Sequence, residues 1–211
     1  MTAPQSKLPG VGTTIFTVMS RLATETGAVN LGQGFPDFQP PARLRELVGE
    51  HLAAGHNQYA PMPGLPALCE AIAEQALRRH GWALDPAQEI TITAGATEAL
   101  FAAIHAIARA DDEVVTLDPS YDSYGPAVVL AGARVVRVPL ALPDFRIDYD
   151  RLAAAINART RLLIVNTPLN PAGAVLDAAD WERIADLLEP YDAFVLSDEV
   201  YEPLVFDGSR H

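Results

Sequence analysis

Lysine is almost missing from this chain. Of the 15 basic residues in 211, only Lys7 is a lysine and the rest are arginines. Arginine stays protonated at neutral pH, so chemistry that needs a neutral amine must use Lys7 or import the group. Cysteine is nearly absent too: the single Cys69 rules out an internal disulfide and fits a reducing compartment. Cys69 falls in a helical pattern, which reads as a packed core thiol rather than a nucleophile. No apolar run approaches the length of a membrane span, and residues 1–7 are polar and proline-containing, unlike a signal peptide. The five histidines show no metal-ligand spacing. Positive charge is in deficit, with a formal net charge of −12, which argues against nucleic acid and anionic membranes as partners. No G-x-x-x-x-G-K-[ST] loop is present, so a P-loop nucleotide site fails on this sequence. What remains is 49% hydrophobic, enough for a layered core, and reads as a soluble, cytoplasmic α/β protein.

The first third is punctuated by loops. Pro9, Gly10 and Gly12 precede a helix-like run ending near Leu22, and Ala28–Pro41 is loop-like. Pro41 suits the first turn of a helix reaching about Ala54. A second helix is predicted from Leu65 to His80, stopped by Gly81. From Glu89 the rhythm becomes strand then helix. Strands are predicted at Ile90–Thr93, Val114–Leu117, Arg134–Val138, Arg161–Asn166 and Ala193–Ser197. The helices between them cover Glu98–Ala108, a stretch ending near Ala131, Asp148–Asn157 and Asp177–Leu188. Asp148 and Asp177 are candidate caps. This alternation predicts a mostly parallel sheet with helices on its faces.

Ala193–Tyr201 is the most informative stretch. Its apolar run predicts a parallel strand buried on both faces, delivering Asp198 to the strand end where ligands of open α/β sheets sit. A carboxylate there is costly unless a cation meets it; a solvated acidic turn is the plainer reading. Three further features stand at strand ends. Gly95-Ala96-Thr97 lies between a strand and a helix, where free N–H groups and the helix dipole favour an anion, although such turns also use glycine for geometry alone. Tyr121, just past Pro119, can stack on a flat ring or belong to the core. Asn170, between two prolines, can donate to a ring oxygen or simply serve the turn. Taken together with Tyr201 these form an anion cradle, a stacking ring, an amide donor, a phenol and a carboxylate. Pyridoxal 5'-phosphate matches that set. Its protonated ring nitrogen would pair with Asp198, a contact worth on the order of 4 kcal/mol near 4 Å at an effective dielectric of 20.

Several segments resemble the fold-type I pyridoxal-phosphate aminotransferases (class I/II), in the subgroup of methionine aminotransferase and kynurenine–oxoglutarate transaminase. They are Asn30–Phe38, Asn57–Pro61, Thr93–Leu100, Asp118–Tyr124, Asn166–Pro171 and Ser197–Tyr201, in the family's order. The resemblance implies an α/β fold with a mostly parallel, seven-stranded-type sheet and helices on both faces. It implies that residues 1–40 form an N-terminal arm and part of a small domain, and that 41–211 form an incomplete cofactor-binding large domain. It assigns the phosphate to Gly95, Ala96 and Thr97, the ring face to Tyr121, the ring oxygen to Asn170 and Tyr201, and the ring nitrogen to Asp198. Tyr201 and Asp198 would be the catalytic pair available here. Tyr59 would reach the phosphate of the partner subunit in a homodimer, and Gly34 would border the substrate carboxylate. Leu169 and Ala172 depart from the family, which often has histidine and usually threonine or serine there. The family's Schiff-base lysine and substrate-carboxylate arginine lie beyond His211, and Lys7 matches no lysine motif. The expectation is therefore the N-terminal part of an enzyme.

The leading expectation is transfer of an amino group between an amino acid (methionine, glutamine, or aromatic or kynurenine type) and a 2-oxo acid. A carbon–sulfur β-lyase on the same fold is the alternative enzyme, and it would release pyruvate and ammonia. A non-catalytic remnant that binds a partner or regulatory ligand is the reading from another class.

Overall fold

A computed structural model describes residues 5–34, 36–206, 208 and 211. Phe35, in the first of the resembling segments, lies outside the described residues, as do residues 1–4, 207, 209 and 210. The chain divides into two compact units, residues 12–93 and residues 1–11 with 94–211.

The 12–93 unit carries α1 (Ile15–Thr26), α2 (Ala42–Ala53) and α3 (Pro66–His80). Local chemistry sets the ends of α1 and α3. The Thr14 hydroxyl accepts from the Thr17 N–H at 3.3 Å, and Gly27 closes α1 at a left-handed φ of 66°. Pro66 takes the first turn of α3, and Gly81, at φ 74°, stops it as predicted. Cys69 is buried within α3, in line with a packed thiol.

The predicted strand at Ile90–Thr93 does not form. Its alternating β-branched residues suit a strand, but a strand exists only through a ladder with a neighbour. Ile92 instead donates its N–H to the Pro63 carbonyl at 2.8 Å. That contact presses Gly64 against the Ile92 side chain. A Cβ at Gly64 would sit 2.8 Å from Ile92 Cβ and closer still to Cγ1, at a φ of +121° that side chains rarely adopt. Gly64→Ala is therefore expected to destabilise the protein by about 1–3 kcal/mol, read as a lower urea midpoint.

The other unit is built on a four-stranded sheet of β1 (Glu113–Asp118), β2 (Arg134–Pro139), β3 (Thr160–Asn166) and β4 (Phe194–Asp198). Every pairing is parallel, in the order β2-β1-β3-β4. Helices α5 (Tyr124–Leu130), α6 (Tyr149–Ala155) and α7 (Ala178–Leu188) connect these strands in turn, and α4 (Ala96–Ile107) precedes β1. The two-residue period of the strands divides the core between two faces. Val115, Leu117, Leu163 and Val165 pack with Leu152 of α6 and Ile184 of α7. Their neighbours Val114, Leu162 and Ile164 pack with Leu100 and Ile104 of α4 and Val128 of α5. Caps predicted from sequence are present: Asp148 accepts from the Arg151 N–H, and Asp177 forms a reciprocal capping box with Asp180.

The expectation that β4 is buried on both faces is overturned. Phe194 and Val195 are 49% and 41% exposed, and only Asp198 of the strand is buried. The reason is position: β4 is an edge of the described sheet, so apolar composition alone does not cover it.

At the N-terminal rim, Glu113 is 1% exposed and carries an ion cluster. Its carboxylate accepts from Arg134 at 2.6 Å, Arg159 at 2.5 Å and Asn157 at 2.9 Å. The bonds to Arg134 and Asn157 outweigh the penalty of burial and hold the Glu113 carboxyl down at about 2. Its folded value is below the ordinary one, so its contribution is complete above about pH 4.5 and fades as pH falls toward 2. Glu113→Gln is expected to cost about 1–3 kcal/mol at neutral pH, with the gap to wild type closing as urea melts are taken down through that window.

Candidate functional site

The in-register pairing of Asn166 with Asp198 brings the ends of β3 and β4 to the same level of the C-terminal rim. Both side chains are buried. Among the described residues, no basic side chain pairs with Asp198. Two neutral donors do the work of stabilising it. The Tyr124 hydroxyl donates to Oδ2 at 2.5 Å, and the Val200 N–H donates to Oδ1 at 3.3 Å. Tyr124 is 2% exposed. Burial first, and then the bond to Asp198, push its phenol far above its usual value, so it remains a donor. The Tyr121 ring meets Tyr124 edge-on, with centroids 5.8 Å apart.

The loop after β3 is tied down at its base. The Asn166 Nδ2 donates to the Asp198 carbonyl at 2.8 Å, while its Oδ1 accepts from the Asn170 N–H at 2.7 Å. Thr167 N–H shares the Asp198 carbonyl at 3.1 Å, and the Leu169 N–H closes the loop on Ala174 at 2.8 Å. Asn170 is half-buried, and its side-chain amide makes no hydrogen bond among the described residues.

Helix α4 supplies the third wall. It starts two residues before the predicted Glu98, with Gly95 as its cap at φ 85° and ψ 170°. Ala96 and Thr97 thus occupy the first helical positions, where N–H groups have no acceptor within the helix and the dipole favours an anion. Gly95 is there for its backbone, since a Cβ would meet nothing within 4 Å. The Glu98 carboxylate turns back to accept from the Ala94 N–H.

A cavity of about 160 Å³ gathers these features: Ala96, Thr97, Tyr121, Asn170, Asp198 and Tyr201 all line it, together with Asn166. A neighbouring hollow of about 290 Å³ shares Ala96 and Asp198. A larger hollow, about 780 Å³, lies at the other rim around Glu113, Arg134 and Arg159. There the buried carboxylate is already paired, so the smaller cavity carries the better ligand chemistry. Six of the residues singled out in the sequence therefore share one cavity, and Gly95 caps the helix beside it. Tyr59 and Gly34 belong to the 12–93 unit, where both are exposed.

Sequence reasoning missed Tyr124 and Asn166. Both stood inside the resembling segments, Tyr124 three residues after Tyr121 and Asn166 at the last position of the apolar strand. Their partners are 74 and 32 residues away, a distance local pattern does not bridge.

The donor set fits a flat, phosphorylated, cationic ring: an anion cradle at one wall, an aromatic face, an unengaged amide, and a buried carboxylate without a cation. Comparison with known proteins agrees. The family described as "Aminotransferase class I and II" matches residues 26–211. Methionine aminotransferase of Escherichia coli (strain K12) is 52% identical over 208 residues, which is 99% of this chain and 54% of that protein. Kynurenine–oxoglutarate transaminase 3 of Homo sapiens is 36% identical, over 97% of this chain and 48% of that protein. Among solved structures, N-succinyldiaminopimelate aminotransferase from Mycobacterium tuberculosis superposes with a TM-score of 0.94 at 46% identity, covering 99% of this chain and 55% of that one. The Escherichia coli protein YbdL, described as having a methionine aminotransferase function, gives a TM-score of 0.93 at 52% identity over 96% of this chain and 53% of that one. The fold is that of the type I pyridoxal-phosphate enzymes. The chain belongs to the class I and II aminotransferases, a pyridoxal-5'-phosphate-dependent family, and spans about half the length of the curated relatives it matches.

Tyr124→Phe keeps the shape and removes one donor from a buried carboxylate. It is expected to lower stability by about 1.5–3 kcal/mol, measured by urea denaturation at neutral pH.

Proposed function

We propose that these residues form the cofactor-binding part of a pyridoxal-phosphate-dependent aminotransferase. Its reaction moves an amino group from an amino acid of the methionine, glutamine or aromatic and kynurenine type to a 2-oxo acid. The observation that carries the reading is the convergence of Thr97, Asn170 and Asp198 on one cavity. The names of the relatives support transamination: they include methionine, kynurenine–oxoglutarate and arginine–pyruvate enzymes.

Each residue then has a task. The N–H groups of Ala96 and Thr97, with the Thr97 hydroxyl, hold a phosphate at the α4 terminus that Gly95 shapes. Tyr121 covers one face of the ring and excludes water there. Asn170 and Tyr201 donate to the ring oxygen. Asp198, fixed by Tyr124, keeps positive charge on the ring nitrogen. When bound, pyridoxal phosphate supplies the electron sink that stabilises negative charge on the substrate's Cα. Gly34 borders the substrate carboxylate, and Tyr59 reaches the partner's phosphate in a homodimer.

No residue lining the cavity is a lysine, so the test reads non-covalent binding there. Titration with pyridoxal 5'-phosphate, followed by tryptophan fluorescence, should saturate. Asp198→Asn is expected to weaken the affinity by about tenfold or more, the equivalent of about 1.4 kcal/mol. Pyridoxal lacking the phosphate should bind more weakly than the phosphate ester. Absence of saturable binding, or indifference to both changes, sinks the proposal.

A further inference from the structure

The two polar groups assigned to the ring oxygen and the ring nitrogen stand on separate pieces of main chain. Asn170 belongs to the loop after β3, and Asp198 ends β4. One side chain connects them. Asn166 is 6% exposed, and its amide spends its donor on the Asp198 carbonyl at 2.8 Å and its acceptor on the Asn170 N–H at 2.7 Å. The orientation of that amide is not arbitrary. A main-chain N–H can only donate and a carbonyl only accept, so oxygen must face Asn170 and nitrogen must face Asp198.

We propose that Asn166 is a positioning residue that sets the spacing between the Asn170 amide and the Asp198 carboxylate, and thereby the fit of the pyridoxal-phosphate ring between them. The inference rests on the cofactor reading above and goes beyond it by assigning a role to a side chain whose polar atoms are both already used within the protein. Its two arms are unequal. The Asp198 carbonyl also accepts from the Thr167 N–H at 3.1 Å, so the end of β4 keeps a tether when Asn166 is replaced. No other bond of the Asn170 N–H exists among the described residues. The loss therefore falls on the Asn170 arm. Leucine at position 166 fills similar volume and supplies neither bond, whereas aspartate keeps the acceptor and loses the donor.

The experiment uses the whole 211-residue chain with pyridoxal 5'-phosphate as the probe. Asn166→Leu is expected to raise the dissociation constant about tenfold and to speed hydrogen exchange at the Asn170 amide. Asn166→Asp should keep that amide protected, which also covers the case in which Asn166→Leu does not fold. In an Asn170→Ala background, Asn166→Leu should change the affinity by less than about twofold, because residues acting through one another are not additive. Equal affinity of wild type and Asn166→Leu overturns the inference, as does a full tenfold loss that persists in the Asn170→Ala background. Unprotected Asn170 exchange in Asn166→Asp overturns it as well. Failure of the wild type to bind the probe is a different result, and it overturns the cofactor reading itself.

Discussion

A carboxylate kept out of water with no cation beside it is the constraint around which the C-terminal rim is arranged. Asp198 is tolerated because a buried phenol and a main-chain N–H both donate to it, and a hydrogen bond to a charged acceptor is worth roughly twice a neutral one. Tyr124 can meet it only because α5 packs on the sheet face that also receives α4, so the phenol rises through the core rather than from the surface. The register of β3 against β4 then decides which residue faces Asp198. A slip of one position would bring Val165 or Thr167 opposite Asp198 in place of Asn166.

Much of this was legible in the chain, and for physical reasons. Helix ends announce themselves through local chemistry: Gly81, Asp148 and Asp177 all act as their residue types suggest. The strand–helix alternation gave the sheet, and strand ends of an open α/β sheet are where ligand residues collect. Misreadings came where a neighbour decides. Phe194 and Val195 have the composition of a covered strand, yet exposure depends on what lies beside β4. Ile90–Thr93 has strand propensity, but propensity is a preference for a pleated surface and not a ladder. Tyr124 and Asn166 escaped notice because their significance lies in partners far along the chain.

The family relationship rests on the match over residues 26–211, and the candidate site on the geometry of one cavity. Leu169, which departs from the family's frequent histidine, is buried in the core face below the loop, so the loop is anchored there by an apolar side chain.

The sheet has a polarity of purpose that follows from its parallel strands. Glu113 and its arginines lie where the strands begin, whereas the cavity lies where they finish. The acid-sensitive ion cluster and the candidate ligand cavity are thus housed at opposite poles of one scaffold. Change at either pole can be explored by evolution, or by an engineer, with little correction demanded at the other.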